Sequence, residues 1–460
     1  MASRFFCFSA NASWRQAATS LIPLPLPAPS WSVTIVTYSF AFFLGCCVMR
    51  SVAISLVALL LPSLGWGGSF IVNGGAKDEI WVVIKVAAPG DLPAGTNRVE
   101  LSAGGGVPAQ VVEAGQTDDP AVAKYLVFVL PTLKAGAKVT VTPQVARYLV
   151  APPAFRFAPS SNGMPELSLV ALEKKRPVLQ YFNLKHDPKD HYYTFKPFHN
   201  VFDPVDGTAM LTNTSAKTAK DGQYPHHRGL FFGFNRISYG DKKTADIWHG
   251  TNQVFAEHEK MLATEAGEVL GRQRSQIAWH GTDGTTFALE ARELTAYNTS
   301  GGTLIDWSTE LSSQAGTIRL DGDPQHAGFH FRANQEVAGN GKRETRYLRP
   351  DGPGKNGETR NWDAKEKDPR AINLPWNAMS FLTGGKRYTT LRVNHPANPG
   401  ESRGSEREYG RFGDYMEYTL TPEKPLKLRY RVWIQPGEMT VAQCEAIARG
   451  FVSPPEVAAR

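Results

Sequence analysis

Apolar and polar positions alternate with a period of two along most of the chain beyond residue 78, the pattern of half-buried strands. The clearest case is Leu426-Lys-Leu-Arg-Tyr-Arg-Val-Trp-Ile434. There Leu426, Leu428, Tyr430, Val432 and Ile434 share one face, and Lys427, Arg429 and Arg431 take the other. Segments 80–86, 98–102, 109–113, 125–130 and 138–142 are short and β-branched, separated by Gly, Pro and Asp turns at the spacing of a small β-sandwich. Thr286–Arg292 and Leu304–Leu311 read as further strands. Val441–Arg449 is the one stretch with convincing helical periodicity, and no repeats are present. Pro152-Pro153 and Pro159-Ser-Ser-Asn-Gly163 punctuate the pattern as a linker. The polar, Gly-rich run Asn334–Arg370 reads as a long loop of the kind that forms lids or binding surfaces. The chain therefore reads as all-β. A small sandwich over 69–155 precedes a larger antiparallel region over 166–450.

Residues 1–68 form a different kind of segment. A Pro-rich run (Leu21 to Pro29) leads into an apolar run from Trp31 to Val48. Met49-Arg50, the apolar stretch Ser51–Leu61, Pro62 and small residues up to Ser69 then have the layout of a secretory signal peptide. The reading is an over-extended start followed by a signal, which makes the body periplasmic or secreted. A signal anchor using the first run is the alternative. The second apolar run is too short to span a bilayer, and no run near ~20 apolar residues follows Leu61, so no stable membrane span is expected after signal removal.

Composition narrows the function classes. The formal charge is +7, and setting aside Arg4, Arg15 and Arg50 of the first 68 residues, which contain no acidic residue, takes it to +4. No basic stripe suited to nucleic acid is present. Cys7, Cys46 and Cys47 sit in the leading segment. Cys444 is alone in the body, with no partner for a disulfide, and reads as a small packed residue.

All 11 histidines fall between His186 and His395, which places the chemistry in the second half. Tyr224-Pro-His-His-Arg-Gly-Leu-Phe-Phe-Gly-Phe234 and Asp246-Ile-Trp-His249 gather three imidazoles, a guanidinium and a carboxylate into a short span. Imidazole titrates near neutrality, so it can move a proton or bind a metal. On an extended strand His226 and His227 point to opposite faces; likewise Asp246 and Trp248 face away from Ile247 and His249. In the run Asp321 to Arg332, His330 and Arg332 share a strand face, and His326 falls in the preceding turn. The reading is a proton-transfer site with His226 or His227 as base or acid and His249 or His330 as its partner. Arg228 and Arg332 would orient the substrate, Asp246 would bind it and Trp248 would stack on a sugar ring. His395, extended by the proline that follows it, is a rim residue. Glu257, Glu259, Glu290 and Glu310 are candidate carboxylates. No HExxH, Cys–His spacing, nucleophile elbow or phosphate-binding loop occurs, so no cofactor is expected. A divalent metal on His226, His249 and His330 stays open as an alternative.

Pro225-His-His-Arg-Gly-Leu-Phe-Phe-Gly, Asp-Ile-Trp-His249, Gly328-Phe-His-Phe-Arg-Ala333 and Asn394-His-Pro-Ala-Asn-Pro399 together resemble the PmoA-like family, over roughly residues 75–440. The pattern departs at Phe198-His-Asn200, where the resemblance implies His-Pro. The inherited family title, "methane oxygenase PmoA", belongs to a subunit with several membrane-spanning helices, which this sequence lacks. The resemblance implies instead an exported β-sandwich protein with a carbohydrate ligand, and by analogy a supersandwich similar to galactose mutarotase. The functional expectation is a carbohydrate-active epimerase, lyase or hydrolase. A non-catalytic glycan-binding protein and a metal-dependent enzyme are the alternatives.

Overall fold

The computed structural model describes residues 68–460, except 91, 147–151, 173, 324 and 364. The expected over-extended start and signal peptide lie outside the described residues. The fold is all-β: of the described residues 51% are in strands and 9% in helices, arranged in several antiparallel sheets. Among the described residues no helix is long and apolar enough to cross a membrane.

The N-terminal strands form one seven-stranded sheet whose last member is the C-terminal strand Glu456–Ala459, paired with Phe70–Asn73. Its alternation feeds two cores. Val82, Ile84 and Val86 point into one apolar cluster, and Val83 and Val127 into another. The second cluster also takes in Cys444, Ile447 and Ala448 of the helix Val441–Val452, and Leu391, Val393 and Trp433 of a nine-stranded sheet. Thr440 caps that helix reciprocally with Gln443.

The nine-stranded sheet runs from Phe255–Ala266 to Gly352–Pro353 with Leu426–Pro436 at its centre. Leu426, Leu428, Tyr430, Val432 and Ile434 are all fully buried on the face the alternation assigns them. They meet an eight-stranded sheet whose inner residues Phe232 and Phe329 close the main core, with Trp307 4.4 Å from Phe329 and Phe329 4.7 Å from Tyr430. Arg431, on the opposite face, is buried rather than solvated because Asp306 accepts two bonds from it, at 2.7 and 2.9 Å.

Two expectations need correcting. The linker around 152–163 is in part the strand Ala154–Pro159, which pairs with Pro165–Ala171 at the edge of the eight-stranded sheet. The expected loop 334–370 contains a helix, Glu336–Glu344, and a strand, Arg346–Arg349. That helix is docked: Glu336 accepts from Thr383 Oγ1 (2.9 Å) and Gly384 N (2.8 Å), and a Cβ at Gly341 would lie 2.1 Å from the Glu408 carbonyl oxygen.

Candidate functional site

The outer face of the eight-stranded sheet carries the site. In the strands Leu230–Phe234 and Ala327–Arg332, Phe231 pairs with His330 on this face while Phe232 and Phe329 face the core. Phe231, Phe198, Phe182 and Trp248 form an apolar floor.

At the end of Leu230–Phe234 two turns are fastened side by side. Ile247 and Trp248 donate their backbone N–H groups to the Phe234 carbonyl oxygen, and Asn235 N donates to the His326 carbonyl oxygen (3.0 Å). In the first turn Asp246 accepts from the His249 backbone N–H (2.8 Å) and pairs with His249 Nδ1 (2.9 Å). In the second, Asp323 accepts from the Gln325 backbone N–H (3.0 Å) and pairs with His326 Nδ1 (2.8 Å). Asn235 Nδ2 holds the other Asp323 oxygen at 2.8 Å. The same Asp-x-x-His device thus occurs twice, a short polar side chain bonding the turn it begins.

His226 completes the group. One ring nitrogen from each of His226, His249 and His326 lies within 4.8 Å of the other two. Ring centroids are 4.6 Å apart for His226–His249 and 4.7 Å for His249–His326. The carboxylates fix the Nδ1–H tautomer of His249 and His326, leaving each Nε2 lone pair free. His226 Nε2 is buried without a hydrogen-bond partner. Side-chain exposures of 28% for His249 and 25% for His326 keep one side open to solvent.

The electrostatics favour the neutral form of His226 and His326. Burial, reinforced by His249, pushes His226 far below the usual imidazole range. Burial also lowers His326, against the pull of Asp323. Burial raises Asp323, but the bonds from His326 and Asn235 outweigh it and hold the carboxyl well below the usual range. Imidazole nitrogens gathered this closely suit a cation or a hydrogen-bond donor between them.

The structure separates the other expected site residues from this point. His226 and His227 lie in a turn, not on a strand, with ring centroids 4.1 Å apart, so they are not split between two faces. His227 is buried with neither ring nitrogen bonded. His330 is fully buried and both its nitrogens are engaged, Nε2 by the Ala327 carbonyl oxygen (2.8 Å) and Nδ1 by Arg411 (3.1 Å). The third imidazole of the cluster is therefore His326, four residues earlier. Trp248 is fully buried, so its ring cannot stack on a substrate. Asp246 bonds His249 instead of facing away from it. Arg228 and Arg332 are buried too and grip backbone carbonyls: Arg228 those of Tyr192, Tyr193 and Pro225, Arg332 those of Tyr409 and Gln223. His395 packs edge-on against Phe451 at the C-terminal helix, away from the cluster. Glu290 is tied to Arg292, Trp279 and Thr309, and Glu257 to the His186 backbone.

Sequence reasoning missed His326 as a participant and Asp323 altogether. The signal was there in the repeated spacing of Asp246…His249 and Asp323…His326. Beside the cluster lies a polar cleft of about 460 Å³ lined in part by Asn235, Asp246, Thr251 and Arg319. None of the three imidazoles lines it. The cleft meets the imidazole cluster only at the groups that orient its rings.

No curated protein matches the chain. Among solved structures it is similar to an alpha-mannosidase from Enterococcus faecalis V583, at 10% identity and a TM-score of 0.37. The match covers 85% of this chain and 46% of that one, so this chain spans less than half the length of that protein. A family model described as a family of unknown function, DUF6807, matches residues 169–449, and the chain belongs to that family.

Proposed function

We propose that the protein is an exported, metal-dependent enzyme acting on a carbohydrate, with His226, His249 and His326 as the three protein ligands of a divalent transition metal. The observation that carries this reading is the convergence of three ring nitrogens within 4.8 Å, two of the rings backed by aspartates. Neutral imidazole suits zinc and its neighbours in the transition series. Three protein ligands with a side open to solvent match catalytic rather than structural centres. A bound ion there would acidify a coordinated water or polarise a substrate oxygen.

The chain's own groups do the rest. Asp246 and Asp323 keep the imidazole protons on Nδ1 and aim each Nε2 at the centre. The apolar floor of Phe231 and Trp248 excludes water from beneath, which strengthens every charge interaction above it. Direct proton transfer by a His227–His330 pair is disfavoured because neither ring reaches solvent. Carbohydrate as the substrate class rests on the PmoA-like resemblance, and export on the signal-peptide layout that begins at Met49.

Elemental analysis of residues 69–460, purified without a histidine tag, tests the reading. About one equivalent of transition metal is expected, lost on His249→Ala or His326→Ala and retained in His395→Ala. Protein that holds no stoichiometric metal, even after reconstitution with Zn²⁺, Fe²⁺, Mn²⁺, Co²⁺ and Ni²⁺, would overturn it.

A further inference from the structure

Among the described residues Tyr224 is one of the few large apolar side chains exposed at the surface, at 47%, and it stands beside the imidazole cluster, its ring centroid 6.2 Å from that of His226. Its backbone is left-handed, φ +54°. For a residue with a bulky side chain that conformation is strained and persists only where the surroundings impose it. The surroundings are visible. Arg332 Nη2 donates to the Gln223 carbonyl oxygen (3.1 Å) and Arg228 Nε to the Pro225 carbonyl oxygen (3.3 Å), so buried guanidiniums hold the residues on both sides. The Tyr224 carbonyl oxygen in turn accepts from His227 N (3.0 Å). The ring leans on Tyr409, 4.7 Å away, has the His227 ring 6.0 Å off, and shows its remaining face to solvent beside the imidazoles.

Glycine would make this turn without strain, and an exposed aromatic gains little from burial. The contact with Tyr409 offsets part of the strain, and the exposed half of the ring is left facing the approach to the imidazoles. We infer that Tyr224 is a substrate-positioning residue whose ring stacks on the apolar face of a pyranose held at the His226–His249–His326 centre. The inference rests on the metal-dependent, carbohydrate-directed reading above and supplies the platform that buried Trp248 cannot. A flat ring carrying a hydroxyl fits a ligand with one apolar face and polar edges.

The test is calorimetric titration of the metal-loaded protein with cellobiose, maltose, mannobiose and galactobiose, for the native chain, Tyr224→Phe and Tyr224→Gly. At least one disaccharide is expected to bind. Its Kd should stay within about threefold in Tyr224→Phe and rise about tenfold or more in Tyr224→Gly. Metal content should be the same in all three, and the Tm of Tyr224→Gly should equal or exceed the native value because the strain is gone. A residue that merely shapes the turn would give the reverse, a lower Tm with unchanged affinity. Binding of none of the four sugars, or equal affinity in Tyr224→Gly, overturns the inference. Should the protein prove free of metal, the same titrations still read the ring's contribution, so the two proposals fail separately.

Discussion

Asp246 and Asp323 touch no shared point themselves, yet each sets which nitrogen of its histidine is free. Replacing either by asparagine keeps the shape and an acceptor oxygen but removes the charge that favours the Nδ1–H tautomer and raises ligand basicity. Loss of such a partner costs about 10–100-fold in metal affinity in comparable centres. Asp246→Asn and Asp323→Asn are therefore each expected to weaken metal binding by that factor, measured by competition against a chromophoric chelator. Thermal stability of the metal-free protein should change by less than about 2 kcal/mol, since each aspartate also bonds its own turn. Affinity within twofold of native in both variants would show that the carboxylates are turn caps and nothing more. At this scale the sequence singled out His226, His249 and Asp246, which the fold does bring together, but it mistook their geometry. A period-two reading suits strands, and it elevated His330 and Arg332, which the strand does bring to one face. The clustered imidazoles lie in turns, where the side chain's direction is set by local hydrogen bonds that no alternation pattern encodes. Burial decided the fate of Trp248, Arg228 and Arg332. Sequence type alone cannot distinguish an arginine that binds a ligand from one that clamps a carbonyl oxygen.

The strand Leu230–Phe234 holds the site in register, and Gly229 sets where it begins. Gly229 has φ +54°, and a Cβ there would stand 2.1 Å from the His199 carbonyl oxygen on the neighbouring strand. Its N–H donates to the Asn213 carbonyl oxygen and its own carbonyl oxygen accepts from Arg332 N. The backbone can therefore neither rotate nor retreat without breaking both bonds. Gly229→Ala should combine left-handed strain with overpacking, roughly 2–5 kcal/mol in all. Gly240→Ala provides the comparison, because Gly240 has φ +50° and a Cβ there would meet nothing within 4 Å, leaving strain alone. Urea unfolding of both variants should show Gly229→Ala losing more stability by at least about 1 kcal/mol. Equal losses would mean the sheet yields at His199. Elements with strong local patterns were the legible ones. The central strand 426–434 alternates because its two faces meet different surroundings, and the helix from Val441 announces itself with Thr440 and Gln443. Glu336–Glu344 was illegible because Gly339 and Gly341 depress its helix propensity. Gly341 is required there by the Glu408 backbone, a contact that exists only in the folded chain.

The last strand, Glu456–Ala459, joins the sheet that begins the described chain. It pairs with Phe70–Asn73, the Arg460 N–H reaches the Ser69 carbonyl oxygen at 3.0 Å, and Val457 packs on the N-terminal apolar cluster. Between this sheet and the nine-stranded one lies the cluster containing Cys444, whose thiol burial pushes up to about 12. The N-terminal sheet is thus completed from the far end of the sequence, a pairing that regular spacing of early strands gave no reason to expect. Ending the chain after Pro455 would strip Phe70–Asn73 of one neighbour and leave its outward N–H and C=O groups on an open edge. At about 0.5–1.5 kcal/mol for each lost backbone hydrogen bond, the truncation should cost roughly 2–4 kcal/mol of local stability. Amide hydrogen exchange locates the effect. Protection is expected to fall in Phe70–Asn73 and its other partner Lys138–Gln144, and to stay unchanged in Leu230–Phe234 and Ala327–Arg332. Metal content should not change, because the imidazole cluster hangs from the eight-stranded sheet and, among the described residues, shares no hydrogen bond with the N-terminal one. Loss of protection throughout, with release of metal, would instead mean that the edge strand holds the whole body together and that the site depends on the N-terminal sheet for its geometry.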